Sequence, residues 1–145
     1  MPNCRTTGVT HMPKVIHIEG IGEVYAGRLL DAGVPTTEAL LEAGATSQGR
    51  EALAERTGIG HGLILKWVNR ADLFRVRGIG EQYSDLLAAA GVETALELAQ
   101  RVPEHLHQKL VETNRSSRLV RHMPSLERVA EWVEQAGQLT RVVSY

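Results

Sequence analysis

Two stretches decide the fold: IEGIGEVYAGRLLDAGV at residues 18–34 and VRGIGEQYSDLLAAAGV at residues 76–92. They lie 58 residues apart, and residues 18–40 and 76–98 share 11 of 23 positions without a gap. The identities are not scattered. They comprise Gly20-Ile21-Gly22-Glu23 with Gly78-Ile79-Gly80-Glu81, then Tyr25 with Tyr83, Leu29 with Leu87, and Ala32-Gly33-Val34 with Ala90-Gly91-Val92, and close on Thr36 with Thr94 and Leu40 with Leu98. A shared phrase of this length means an internal repeat. The echo continues: Glu51–Glu55 resembles Gln108–Glu112, and Leu65–Ala71 resembles Ala130–Ala136, with Trp67 matched to Trp132. The second copy carries about seven extra residues around Arg115 to Ser125.

Each copy reads as a run of short helices. The apolar series Ile21, Tyr25, Leu29, Ala32 and its partner Ile79, Tyr83, Leu87, Ala90 recur at helical spacing. Gly33 and Gly91 follow as left-handed stops. Thr36 and Thr94 are placed to cap a second short helix that ends near Ala43 or Arg101. Third helices are expected over 47–57 and 103–113, with Pro103 in a first-turn position. Trp-bearing helices are expected over 61–73 and 125–137. The one extended-looking piece is Val15-Ile16-His17-Ile18. The reading is an all-α fold of about eight short helices in duplicated modules, 14–73 and 74–140, with tails at 1–13 and 141–145. The Trp67 helix runs directly into the second GIG turn. The Trp132 helix comes last, so it is expected to fold back on the first module and close a compact pseudo-twofold domain.

Composition sets the outer bounds. The chain has 145 residues, 43% hydrophobic and 23% charged, a net charge of −1 and one cysteine, Cys4. No apolar run reaches the roughly 20 residues that span a bilayer, and the start has no apolar signal core. A lone cysteine in a polar leader fits a reducing, cytoplasmic setting. A near-neutral charge is not that of a dedicated nucleic-acid coat, but it leaves room for a local basic face.

A helix, a Gly-hydrophobic-Gly turn and a second helix make the helix-hairpin-helix pattern. The turn brings backbone close to whatever it faces, and unpaired amides at the following helix start favour an anion. Contact through amides alone reads phosphate and not base. The phrases GIGEVYAGRLLDAGVPTTEALL and GIGEQYSDLLAAAGVETALELA resemble the tandem helix-hairpin-helix proteins of bacteria, a family of unknown function, over residues 14–140. Over about 25 residues per copy they also resemble hairpin units of recombinases and other DNA-repair proteins. The resemblance implies a helical fold with nucleic-acid or protein contacts and no established reaction.

The candidate phosphate grip is Gly78, Ile79 and Gly80 with Arg75 and Arg77, and then Gly20, Ile21 and Gly22. The basic run NRSSRLVRHMP (114–124) adds Arg115, Arg118 and Arg121. If helical, it would place Arg118, Arg121 and His122 on one face. Glu23 and Glu81 stand where many DNA-binding hairpins have a basic or small residue. Glu19 makes the first turn doubly acidic. Both glutamates stabilise their own helix starts and oppose a phosphate. The plainer reading makes the turns simple connectors, and TGIGHG (57–62) a helix stop before the next helix. Trp67 and Trp132 read as core anchors. The six histidines show no metal-ligand spacing, and no nucleophile, phosphate-loop or paired-acid pattern is present. The sequence therefore points to a non-enzymatic, sequence-independent binder of a DNA or RNA backbone, without cofactor or metal. The alternative is a protein-interaction or scaffolding module on the same fold. The sequence leaves oligomeric state open.

Overall fold

The computed structural model describes residues 14–18 and 20–145. Residues 1–13, expected as a tail, and Glu19, expected to sharpen the acidity of the first turn, lie outside the described residues. Among the described residues the chain is all-helical, with no strand beyond an isolated bridge between Lys14 and Thr36. Eight α-helices follow in order: α1 Gly22–Asp31, α2 Thr37–Ala43, α3 Ser47–Thr57, α4 His61–Leu73, α5 Glu81–Ala89, α6 Ala95–Ala99, α7 Pro103–Ser117 and α8 Leu126–Gln138. Val15–His17, expected to be extended, is a 3-10 turn instead. The tight Ile18 N–H to Val15 carbonyl bond (2.9 Å) outweighs the β-branched propensity of so short a run.

Local chemistry sets the helix ends. The Thr36, Thr46, Thr94 and Ser125 hydroxyls each accept the amide three residues on, at 3.0–3.1 Å. Gly58 ends α3 in the left-handed region (φ +73°), and Gly33 and Gly91 take positive φ after α1 and α5. Pro103 opens α7, as its missing N–H allows. The helix α7 runs on through Arg115 to Ser117, further than the expected end at 113. It stops at Arg118, which adopts φ +50° although it is not glycine. The basic run is therefore not one helix. Arg115 lies on the last turns of α7, and Arg121 and His122 lie in an irregular loop. Asn114 pins that loop: its Nδ2 donates to the Val120 carbonyl, and its Oδ1 accepts the Val120 N–H, both at 3.0 Å.

The chain divides into two compact units. Unit 1 comprises the described residues up to Ala71 with Val142–Tyr145, and unit 2 runs from Asp72 to Arg141. In unit 2, Trp132 from α8 sits with Leu86, Leu87, Leu98, Leu106, Leu110 and Val129 in one buried cluster. The helix expected to fold back on the first module thus has its tryptophan in the core of unit 2. The Trp132 ring is spent on the second GIG turn of its own unit, where it meets Tyr83 at 5.3 Å between centroids. In unit 1 the same contact recurs between Tyr25 and Trp67, at 5.3 Å and an interplanar angle of 55° against 54° in unit 2. Both tryptophans are about 1% exposed. An apolar ring of that size, buried under a turn, is the main anchor each unit has.

The closing residues 141–145 are also not a free tail. Val143 is buried and the Ser144 amide donates to the Ala45 carbonyl at 2.8 Å, so Val142–Tyr145 completes unit 1.

Candidate functional site

The second GIG turn is built from beneath by α8. Gly78 has φ +94°, and a side chain placed there would meet Trp132 Nε1 at 3.0 Å. Ile79 plugs the core at 5% exposure, leaving Gly78 and Gly80 exposed on either side. One turn along α8 from Trp132, Gln135 clasps the residue before the turn. The Arg77 N–H donates to Gln135 Oε1 (3.0 Å), and Gln135 Nε2 donates back to the Arg77 carbonyl (3.4 Å). Trp132 and Gln135, at i and i+3, thus fix both the floor and the entry of the turn. Nothing in the sequence signals the clasp beyond that spacing, because glutamine is ordinary on an exposed helix face.

Gly80 is the N-cap of α5 and brings no side-chain acceptor, and α1 likewise begins without a side-chain cap. The two GIG-launched helices thus differ from α2, α3, α6 and α8, whose starts carry a hydroxyl cap. Glu81 stands in the first turn of α5 and Glu23 in that of α1. Such carboxylates favour the helix start electrostatically and compete with an incoming anion.

The structure separates the candidate arginines. Arg75 is committed to the fold: its Nη1 pairs with Asp72 Oδ1 at 2.9 Å, and its Nη2 donates to the Thr140 carbonyl at 2.7 Å. Asp72, only 5% exposed, also takes the Ala95 N–H on Oδ2 (3.0 Å). Arg75 therefore ties the end of α4 to the end of α8, and this removes it from the expected phosphate grip. The i, i+3 spacing of Asp72 and Arg75 was the available signal. Arg77 is exposed, with its backbone held by Gln135.

The loop that carries Arg121 is tied to α5 through the neighbouring residue. Tyr83, in the first turn of α5, donates its hydroxyl to the His122 carbonyl (3.0 Å). Leu119 and Met123 pack on the core, His107 Nε2 meets the Pro124 carbonyl at 3.1 Å, and Arg118, Arg121 and His122 stay exposed. The basic loop is thus fastened beside the helix that the second GIG turn launches. Arg115 is exposed on α7 and takes no part in that fastening.

In the first turn, Gly20 takes φ +93° over Trp67 Nε1, at a looser 3.8 Å from a built Cβ, and Ile21 is buried. The position matched to Gln135 is Arg70, and that matched to Arg77 is Glu19. Arg28 lies 5.8 Å from the Tyr25 ring centroid, and Arg56 donates to the Ala32 carbonyl. No group of three or more His, Cys, Asp or Glu is placed to hold a metal among the described residues, and no described helix is long and apolar enough to cross a membrane.

A turn floored by a tryptophan and backed by helices is an arrangement for holding backbone in place. The chain belongs to the family described as a domain of unknown function (DUF4332), whose profile matches residues 19–139. No curated protein and no solved structure matches the chain.

Proposed function

We propose that the two units are duplicated helix-hairpin-helix modules related as a pseudo-twofold repeat, and that the protein is a non-enzymatic, cytoplasmic binder of nucleic-acid backbone without sequence preference. The binding surface is the second hairpin, Gly78-Ile79-Gly80, with Arg77, Arg121 and Arg118. Arg75 is withdrawn from that surface because its guanidinium is held by Asp72 and the Thr140 carbonyl. The observation that carries the reading is the Tyr83 hydroxyl bond to the His122 carbonyl. It fastens an exposed basic loop beside a helix start that has no side-chain cap. Backbone amides at a helix start and guanidinium groups are the donors that suit phosphate oxygens.

A second reading keeps the same fold as a protein-interaction module. It is favoured by Glu81 in the first turn of α5, by Glu23 at the matched place in α1, and by the diversion of Arg75 into the fold. On that reading the GIG turns are structural, and the partner is a protein.

Fluorescence anisotropy of labelled single- and double-stranded DNA and RNA, at about 50 and about 200 mM salt, separates the two. The proposal expects binding that weakens steeply with salt and falls sharply in Arg77→Glu/Arg121→Glu. Both substitutions lie on exposed side chains and leave the fold intact. Absence of binding to every nucleic acid at low salt would discard the proposal in favour of the protein partner.

A further inference from the structure

Arg50, on α3, is 2% exposed. Its Nη1 donates to the carbonyls of Gly44 (2.8 Å) and Ala45 (3.3 Å), and its Nε is buried without a hydrogen-bond partner. Its guanidinium carbon lies 5.7 Å from the centroid of the Tyr145 ring. A buried guanidinium is costly unless its donors are met, so an unmet one calls for an account of what covers it.

The cover is the segment Val142–Tyr145, which follows unit 2 in the chain yet belongs to unit 1 by its contacts. It is held at three successive residues by three different means. Val143 is 4% exposed and acts as an apolar anchor. The Ser144 N–H donates to the Ala45 carbonyl at 2.8 Å, the carbonyl that also receives Arg50. Tyr145 lays its ring over Arg50 and donates its hydroxyl to Asn69 Oδ1 at 2.8 Å. An apolar slot, a backbone acceptor, and a cation beneath an aromatic ring with a polar acceptor beyond it are the parts of a peptide-recognition site. Tyr145 is still 63% exposed and Val142 is 37% exposed, so the segment lies on the surface and is not threaded through the core.

We propose that Ala45, Arg50 and Asn69 form a docking site for a protein segment of the form hydrophobic-x-tyrosine, and that Val143-Ser144-Tyr145 occupies it in cis as a built-in competitor. A tethered occupant competes at high effective concentration, so the site opens to a segment supplied in trans only when the cis segment is weakened or outcompeted. Arg50 supplies the preference for an aromatic ring, and Asn69 the preference for its hydroxyl. The site lies in unit 1 and does not depend on the nucleic-acid reading of unit 2.

The test uses the full-length chain and a fluorescein-labelled peptide of residues 140–145, Thr-Arg-Val-Val-Ser-Tyr, read by anisotropy. Tyr145→Ala and Val143→Asp/Tyr145→Ala are compared with the unaltered chain, with circular dichroism confirming that helix is retained. Val143→Asp/Tyr145→Ala, which vacates both seats, is expected to bind the peptide saturably, roughly tenfold or more tightly than the unaltered chain, and Tyr145→Ala, which vacates one, to bind it more weakly than the double variant. A peptide with alanine for tyrosine is expected to lose that binding, and Arg50→Met in the background of the folded double variant to erase the preference for tyrosine. Tyr145→Ala removes only an exposed ring and leaves Val143 seated, so the milder Val143→Ala/Tyr145→Ala serves if the aspartate variant does not fold. A folded variant altered at both Val143 and Tyr145 with no saturable peptide binding, or with binding indifferent to the peptide tyrosine, overturns the proposal and leaves Val142–Tyr145 as a permanent part of unit 1.

Discussion

Gly78 and Gly20 share a backbone and differ in what lies under it. Their φ values are +94° and +93°, but a Cβ would stand 3.0 Å from Trp132 Nε1 at Gly78 and 3.8 Å from Trp67 Nε1 at Gly20. Alanine at either position carries the conformational penalty of a positive φ, about 1–2 kcal/mol. At Gly78 it must also displace a buried indole that has little room to move. Gly78→Ala is therefore expected to cost about 1 kcal/mol more than Gly20→Ala, measured by urea unfolding. Equal costs would mean that the indole yields. Asp72 poses a different residue-scale question, because it is buried and serves two donors at once. Asp72→Ala strands the Ala95 amide and leaves the Arg75 guanidinium with the Thr140 carbonyl but no carboxylate, for an expected loss of about 2–4 kcal/mol. Arg75→Ala leaves the carboxylate with its amide partner and is expected to cost less in the same measurement.

At the scale of elements, the caps and the loop pin are the exposed polar devices that locate helix ends. Thr94→Ala removes the hydroxyl that accepts the Glu97 amide at the start of α6, a five-residue helix, and is expected to cost about 1 kcal/mol. Asn114→Ala is expected to release the Val120 amide, visible as faster hydrogen exchange at Val120, because both loop bonds at 3.0 Å come from one side chain. Much of this level was legible in the sequence. The Thr caps, the glycine stops, α3 and α4 follow from local rules that need no tertiary information. Deciding whether the basic run is a helix requires weighing Leu119, Val120 and Pro124 as core-seeking residues of a loop, and burial is a tertiary property. Sending the Trp132 helix to the first module relied on chain order alone. The matched pairs Tyr25/Trp67 and Tyr83/Trp132 carried better information, since two rings that recur together in both copies belong to the same packing unit. The candidate site was half legible. The GIG turn and the basic run were visible, while the loss of Arg75 to Asp72 and the Gln135 clasp depend on where α4 and α8 end in space.

At the scale of the whole chain, sequence order and unit membership part company at Val142–Tyr145. Unit 1 is left incomplete by its own consecutive residues and is finished by four that arrive after all of unit 2. Val143 is the energetic centre of that closure, because it is the buried member at 4% exposure while its neighbours Val142, Ser144 and Tyr145 are exposed. A carboxylate placed there has no partner designed for it and must either be buried at a cost of several kcal/mol or push the segment off. Expulsion is the cheaper course, since it gives up one apolar anchor, the Ser144–Ala45 bond and the ring over Arg50. The expected loss for unit 1 is then about 2–3 kcal/mol. Each unit has one tryptophan, so Trp132→Phe leaves Trp67 as the sole indole reporter. In that background Val143→Asp is expected to lower the urea midpoint reported by Trp67 fluorescence, and Val142→Asp, at an exposed neighbour, to leave it nearly unchanged. Equal midpoints for the two variants would mean that Val143 anchors nothing. Unit 1 would then be complete without the segment, and the seat over Arg50 would be incidental to its stability.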